Sequence, residues 1–232
     1  MNLQSMEMIT GNLLDLGRSD YNEVCELQRK LVNLRAINQI PETLILVEHP
    51  RVFTVGKAIA GEVPSQINDI PVIQSERGGQ WTYHGPGQLV GYPILDLNAR
   101  GRDLHAFVNG IEETLILSLN EFGIHGTRME GRDKAGVWIE TKKIASIGAA
   151  IRNWITFHGF ALNVNTDMEY FAMIDPCGMP GSTMTSMKTI LNHHVDFTQI
   201  KESIQRNFGK VFQIELNRTI APQVSPAHTV GL

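Results

Sequence analysis

The apolar residues of this chain follow two different periods, and the order in which those periods alternate restricts the folds open to it. Three segments repeat at steps of three and four. Over residues 20–37, Val24, Leu27, Leu31 and Leu34 form a stripe along one side of a helix, with Ser19 or Asp20 placed to cap its first turn. Over 103–122 the stripe is Leu104, Phe107, Ile111, Leu115 and Phe122, with Asp103 as cap and Gly123 as stop. Over 196–208 it is Phe197, Ile200, Ile204 and Phe208, closed by Gly209, and a short fourth helix is expected over 166–174. The runs between are β-like: 43–48, 52–55, 89–95, 136–140, 143–151, 156–164 and 212–216, with 136–140 and the run from Lys143 reading as a hairpin. Strands that cluster, and do not alternate strictly with helices, predict an α+β fold with mixed or antiparallel sheets and packed helices. The chain of 232 residues shows no linker, so one domain is expected over 1–218, followed by a loose, proline-bearing tail over 219–232.

Composition removes several function classes. Apolar residues make up 42% and charged residues 19%, the balance of a soluble globular protein. A net charge of -4 gives no electrostatic case for nucleic acid. The start lacks a basic segment followed by an apolar core, and no apolar run is long enough for a bilayer, so neither secretion nor membrane association is expected. The two cysteines, Cys25 and Cys177, form no Cys-x-x-Cys pair. That excludes a disulfide framework and predicts a reduced, cytoplasmic setting. Cys25 sits beside the first helical stripe and reads as a small half-buried hydrophobe. No histidines stand at metal-ligand spacing; His193 and His194 are adjacent and cannot share an i, i+4 face. No metal is expected.

Three clusters remain with chemical potential. The stretch 77–93 holds five glycines in 17 positions. Such a loop lets backbone N–H groups approach a carbonyl or a phosphate. Gly85, Gly87 and Gly91 are one residue too widely spaced for a dinucleotide fingerprint and lead into a strand, and no Gly-Lys-Ser/Thr follows to make a P-loop. The alternative is a tightly turned sheet corner. Lys143 opens the apolar run Ile144-Ala145-Ser146-Ile147-Gly148, where desolvation would lower a lysine pKa; spacing alone does not separate it from Lys142. Finally, Cys177 sits between Pro176 and Gly178, a sharp turn suited to presenting a thiol, although a buried inert thiol fits as well. His158 falls on a strand face with Phe160, Leu162 and Val164 and reads as a hydrogen-bonded, partly buried histidine.

Together these pieces resemble the lipoyl(octanoyl) transferase family, the octanoyl-[acyl-carrier-protein]:protein N-octanoyltransferases. Its pattern R-G-G-x-x-T-x-H-x-x-G-Q is matched by Arg77, Gly78, Gly79, Thr82, His84, Gly87 and Gln88. Its K-I/V-A/C-x-I/L-G strand is matched over 143–148, its H-G-x-A-L-N segment over 158–163, and its P-C-G turn at Pro176-Cys177-Gly178. The order and spacing agree over roughly residues 10–215.

The resemblance implies a fold similar to the biotin and lipoate protein ligase catalytic domain. It implies that Cys177 is the acyl-thioester nucleophile and that Lys143, not Lys142, lowers its pKa and acts as acid and base. Substrate-binding segments are implied at Arg77, Gly78, Gly79, Gln80, Trp81, Thr82, Tyr83 and His84, at Ser146, Ile147 and Gly148, and at Gly159, Phe160 and Ala161. Trp81 and Tyr83 with the small Gly159 and Ala161 are expected to shape an apolar slot. Backbone N–H groups of Ser146–Gly148 and of Gly78-Gly79, with His84 as a side-chain donor, are the expected oxyanion partners. The implied reaction moves octanoyl, or lipoyl, from acyl carrier protein to a lysine of the lipoyl domains of 2-oxoacid dehydrogenase complexes and the glycine cleavage H protein. It needs neither ATP nor metal, and the enzyme is expected to act as a monomer. Both protein partners should be acidic, so a local basic rim is expected from Arg51, Lys57, Arg132, Lys134, Lys142, Arg152 and Lys188. Competing readings are an amidotransferase between lipoyl domains, an ATP-dependent ligase, and a non-catalytic binding module.

Overall fold

A computed structural model describes residues 8–131, 134–176 and 178–220. In chain order the elements are β1 (Ile9–Arg18), α1 (Tyr21–Ala36), β2 (Thr43–Glu48), β3 (Val52–Val55), β4 (Gln66–Ile67), β5 (Ile70–Gln74), β6 (Trp81–His84), β7 (Gln88–Ile94), α2 (Leu104–Asn120), β8 (Gly136–Ile139), β9 (Lys142–Arg152), β10 (Ile155–Asn163), α3 (Met187–Leu191), α4 (Phe197–Phe212) and β11 (Ile214–Arg218). Seven strands form a mixed sheet in the order β11-β1-β2-β7-β10-β9-β8, with β1 parallel to both neighbours and the remaining pairs antiparallel. A second sheet, β4-β5-β3-β6, stands beside it. This is the expected α+β architecture.

The large sheet is covered on both faces, and period-2 alternation sorts its residues between them. Leu44 and Leu46 of β2 pack with Ile111 and Leu115 of α2 and Ile200 and Ile204 of α4. Ile45 and Val47 point the other way, to Val24, Leu27 and Leu31 of α1. Burial on both faces is why β2 and β7 read as unbroken apolar runs. Each buried α1 side chain contributes roughly 1.5–3 kcal/mol. Asp20 caps α1 by accepting from the N–H of Asn22 and Glu23, and Asp103 caps α2 through Ala106.

Three expectations need correction. Helix α4 does not stop at Gly209 but runs on to Phe212, and Gln213 ends it with a left-handed φ of 59°. Gly209 is there for space: a Cβ would lie 2.7 Å from the carbonyl oxygen of Ile214. The last strand is therefore Ile214–Arg218, two residues later than expected. The expected fourth helix is a 3-10 turn, Met168–Met173. Strand β1, whose apolar residues follow neither period, escaped notice; it is specified by parallel neighbours on both sides. The expectation of a loose tail falls mainly on residues 221–232, outside the described ones.

Candidate active site

Strand β8 pairs with β9 only as far as Gly136 opposite Ser146. Past that point the outer edge of β9 has no strand partner among the described residues, and the turn 77–79 covers it, the N–H of Gly78 donating to the carbonyl of Ala149 at 3.1 Å. The turn is braced from below. Gly56, Lys57 and Ala58 donate N–H to the carbonyls of Gln80, Arg77 and Gly79 at 3.0–3.1 Å. The Arg77 guanidinium is almost fully buried and donates to Thr54 Oγ1, to the Thr54 and Gln80 carbonyls at 2.8 Å, and to the Gly78 carbonyl at 3.0 Å. Gly79 takes a φ of +82°, and a Cβ on Gly56 would lie 2.4 Å from its carbonyl oxygen. Gly56→Ala is therefore expected to overpack the turn and destabilise the fold by about 1–3 kcal/mol. Scanning calorimetry should show Tm lowered by roughly 2–4 °C per kcal/mol; an unchanged Tm would mean the two loops do not press together.

Behind the turn lies a narrow slot, partly open to solvent. Its floor is the α1-facing side of the sheet and crosses three strands: Ser146 and Gly148 of β9, Gly159 and Ala161 of β10, Val90 and Tyr92 of β7. The register places Ser146 opposite Ala161 and Ala161 opposite Val90, with Gly148 opposite Gly159. The slot exists because the side chains along these rows are so small. Arg77, Gly78, Gly79, Thr82 and His84 wall it, and Ile147, Phe160 and Tyr21 of α1 complete it. Most of the binding residues expected from sequence thus line one cavity. Trp81 and Tyr83 do not. Alternation along β6 sends Thr82 and His84 to the slot and turns Trp81 and Tyr83 to a cluster with Phe53 and Phe171.

A second cavity, lined by Lys143, Gln80, Leu104, Val108, Ala135 and Ala149, meets the slot at Gly78, Gly79, Ile147 and Gly148. Lys143 is 1% exposed, with Nζ 5.3 Å from the ring centre of Trp138 and its carbonyl accepting from the N–H of Thr185. Its neighbour Lys142 is exposed and donates to the Ser182 carbonyl at 2.6 Å. Burial separates the two lysines that spacing left equivalent. Cys177 and Arg132 lie outside the described residues. The residues flanking Cys177 are held at the site: Pro176 bridges to Trp81, a Cβ on Gly178 would lie 3.0 Å from Gln80 Oε1, and Met184 bridges to Lys143. Cys25 shares none of this; burial pushes its thiol up to about 11, leaving it protonated and unreactive.

The inner part of the slot is polar in a particular way. Gln88 donates through Nε2 to the Tyr83 carbonyl at 3.0 Å and to Asn163 Oδ1 at 2.9 Å, so its Oε1 faces His84 Nδ1 at 2.7 Å. Asn163 in turn donates to the Thr185 carbonyl. His84 must therefore donate from Nδ1. Burial, with His49 nearby, holds it well below the usual histidine range, so it is neutral and Nε2 carries a lone pair. His84 is thus an acceptor in the slot, not the oxyanion donor expected from sequence. The N–H of Gly78, given to Ala149, is also unavailable as a donor. The hydroxyl of Ser146 is buried without a partner and remains available.

His158 also departs from expectation. Its φ of +54° interrupts the strand's alternation, so it lines the slot while Leu162 and Val164 pack in the core below α2 and α4, and Phe160 touches both. Gln28 of α1 holds this turn, accepting from the His158 N–H at 2.7 Å. Burial lowers His158, and likewise His49, to about 4. Tyr21, Tyr92, Gln88, Asn163 and Gln28 were assigned no role from sequence. Gln88 and Asn163 stood in the matched motifs, whereas Tyr21 and Gln28 gave no signal beyond being polar residues on the buried side of α1. Of the expected basic rim, Arg152 is paired with Glu76 and Arg51 lies over the Tyr170 ring. Among the described residues, no three His, Cys, Asp or Glu side chains are grouped to hold a metal ion.

Comparison with known proteins agrees with this geometry. The sequence matches the family described as lipoyl protein ligase A/B catalytic domain over residues 20–209. It is 48% identical over 200 residues to an octanoyltransferase of Syntrophotalea carbinolica, covering 86% of this chain and 93% of that one. An octanoyltransferase of Syntrophobacter fumaroxidans is 40% identical, covering 91% and 95%. The crystal structure of lipoate-protein ligase A bound with ATP superposes with a TM-score of 0.71 at 18% identity, over 93% of this chain and 90% of that one. Biotin protein ligase from Aquifex aeolicus, in complex with biotin and ATP, superposes with a TM-score of 0.56 at 13% identity, over 87% and 70%. At such identities the structural likeness concerns the fold. The sequence relatives carry the assignment: the chain belongs to the lipoyl protein ligase A/B catalytic domain family, and within it to the octanoyltransferases.

Proposed function

We propose that this chain transfers an octanoyl group from acyl carrier protein, through a thioester on Cys177, to a lysine of lipoyl domains, including those of 2-oxoacid dehydrogenase complexes and the glycine cleavage H protein. The observation that carries the reading is the slot that crosses β9, β10 and β7 and shares Gly78, Gly79, Ile147 and Gly148 with the cavity of a buried lysine. Two strand spacings amount to roughly 10 Å. That is close to the extended length of an eight-carbon chain, whose seven bonds of about 1.5 Å each advance by somewhat less than that. An acyl chain laid across the strands from β9 to β7 therefore keeps its carbonyl beside Gly78, Gly79 and Gly148.

The chemistry proceeds in two exchanges. Cys177 attacks as the thiolate with its proton held on Lys143; the C–S bond to the enzyme forms as the C–S bond to the carrier breaks, and Lys143 gives that proton to the departing carrier thiolate and is left neutral. The acceptor amine then attacks the acyl-enzyme, the amide C–N bond forms, the Cys177 thiolate leaves, and Lys143 takes the excess proton. Ser146 Oγ, buried without a partner, is our candidate donor to the tetrahedral oxyanion. Thioester exchange is nearly neutral in free energy and thioester to amide is downhill, so neither ATP nor metal enters.

Mass spectrometry of a lipoyl domain incubated with this protein and octanoyl carrier protein, without ATP, is expected to show one added octanoyl group. The enzyme itself should carry one transiently, and Cys177→Ala protein none. Transfer that requires ATP and free octanoate would replace this reading with a ligase.

A further inference from the structure

Glu112 of α2 is a buried carboxylate that the transfer chemistry does not use, and its two oxygens have different partners. Oε2 faces Arg128 Nε at 3.2 Å, and Oε1 accepts from the N–H of Gly136 at 2.9 Å. Arg128 is fixed in turn by Glu113 at 2.6 Å and by donating to the Asn109 carbonyl. A hydrogen bond to an ionised acceptor is roughly twice as strong as a neutral one. The peptide joining Ala135 to Gly136 is therefore firmly held at the residue where β8 begins.

What lies against that peptide is Lys143. A Cβ on Gly136 would lie 2.7 Å from Lys143 Cε and 2.1 Å from the Ala145 carbonyl oxygen, so the lysine stem crosses the bare α-carbon of residue 136. Ala135 lines the Lys143 cavity. The register changes here as well. Val137 stands opposite Ala145 but Trp138 stands opposite Lys143, so β9 carries one extra residue, a bulge of the kind that re-aims side chains beside active sites. The Trp138 ring, 5.3 Å from Lys143 Nζ, is anchored by its Nε1 on the Lys134 carbonyl and by two backbone bonds with Thr127. The ring, the bulge and Gly136 together seat a flexible four-carbon stem whose ammonium would otherwise sample many positions.

Resting on the acyl-transfer reading, we propose that Glu112 is a positioning residue for Lys143: by holding the Gly136 peptide it keeps the lysine seat in shape and the ammonium at the thiol of Cys177. The sign of the effect separates this role from a direct electrostatic one. Deleting a carboxylate removes negative charge, which by Coulomb interaction alone lowers a thiol pKa, whereas loosening the lysine raises it.

The readout is the pH midpoint of Cys177 alkylation by iodoacetamide, with the modified cysteine located by peptide mass. The midpoint reports the thiolate fraction, while the absolute rate also changes with nucleophilicity. In Glu112→Ala protein the thiolate fraction at pH 6 is expected to fall about tenfold, and in Lys143→Met protein by more. Adding Glu112→Ala to Lys143→Met should produce no further fall, because residues that act through one another are not additive. A merely structural role would lower Tm in both backgrounds and leave the midpoint in place. A midpoint that stays or drops in Glu112→Ala protein, or that rises equally with and without Lys143, overturns the proposal. Where Glu112→Ala does not fold, Glu112→Met combined with Arg128→Met removes the same acceptor while replacing the ion pair by apolar groups, an exchange that folds often tolerate. It is read in the same cycle with the same expectations. Absence of octanoyl transfer by the wild-type protein would refute the acyl-transfer reading instead, and the alkylation cycle would still judge Glu112.

Discussion

Lys143→Met protein is expected to acylate about 30-fold more slowly than the wild type at pH 7 and to recover most of that loss by pH 9. The reason lies in the thiolate fraction. A thiol with the ordinary pKa near 8.5 is about 3% ionised at pH 7, whereas a neighbouring cation that lowers it by one to three units brings ionisation towards completeness. Raising the pH supplies the thiolate without the lysine. Methionine is the informative replacement because it retains an unbranched stem against Trp138 while removing the amine. The second half-reaction should behave differently. There the lysine is the base for the incoming amine, and removing a general base typically costs a further factor of 10² to 10⁴ that pH restores only in part. Rapid quench and intact mass separate the two steps, one with octanoyl carrier protein alone and the other with pre-formed acyl-enzyme and lipoyl domain. If the acylation deficit stayed constant from pH 7 to pH 9, the electrostatic role of Lys143 would be wrong.

How much of this was legible in the sequence depends on whether the cause was local. Helices α1 and α2 were, because their stripes and aspartate caps lie within a few turns of chain. So was the β8–β9 hairpin, whose turn is two residues long. The slot-lining motifs were legible only as a resemblance. Their physical purpose, small side chains aligned across three strands to leave a groove, depends on registers that no single segment contains. The far end of α4 was misread because Gly209 was taken as a stop, while its smallness answers to Ile214 in the next strand. His158 was misread because strand alternation assumes negative φ throughout; its left-handed turn is held by Gln28, 130 residues away. His84 was assigned a donor role because the motif does not say which nitrogen carries the proton; the Gln88 amide decides that, and its own orientation is decided by Tyr83 and Asn163.

The buried histidines make a second large effect predictable, in stability and not in rate. Burial holds His49 and His158 at about 4, and His84 also lies well below its ordinary value. Unfolding returns each to near 6.5. The unfolded chain therefore binds more protons than the native one between those values, and native stability rises with pH across that window. The contribution is complete above pH 6.5 and is lost as pH falls from there towards about 4, by up to about 1.4 kcal/mol per pH unit for each histidine. From pH 7 to pH 5 the three together should remove on the order of 4 kcal/mol, which at roughly 2–4 °C per kcal/mol lowers Tm by roughly 8–16 °C. Carboxylates do not confuse the measurement. Glu76, held down by its hydrogen bond from Arg29, makes its own loss only below the ordinary carboxylate range. Thermal melts at constant ionic strength between pH 7.5 and 5 would show the slope. A Tm that stayed level over that range would mean that these imidazoles accept protons inside the fold. His84 Nε2 would then be a donor in the slot, the groove would carry positive charge, and its neutral wall would have to be given up.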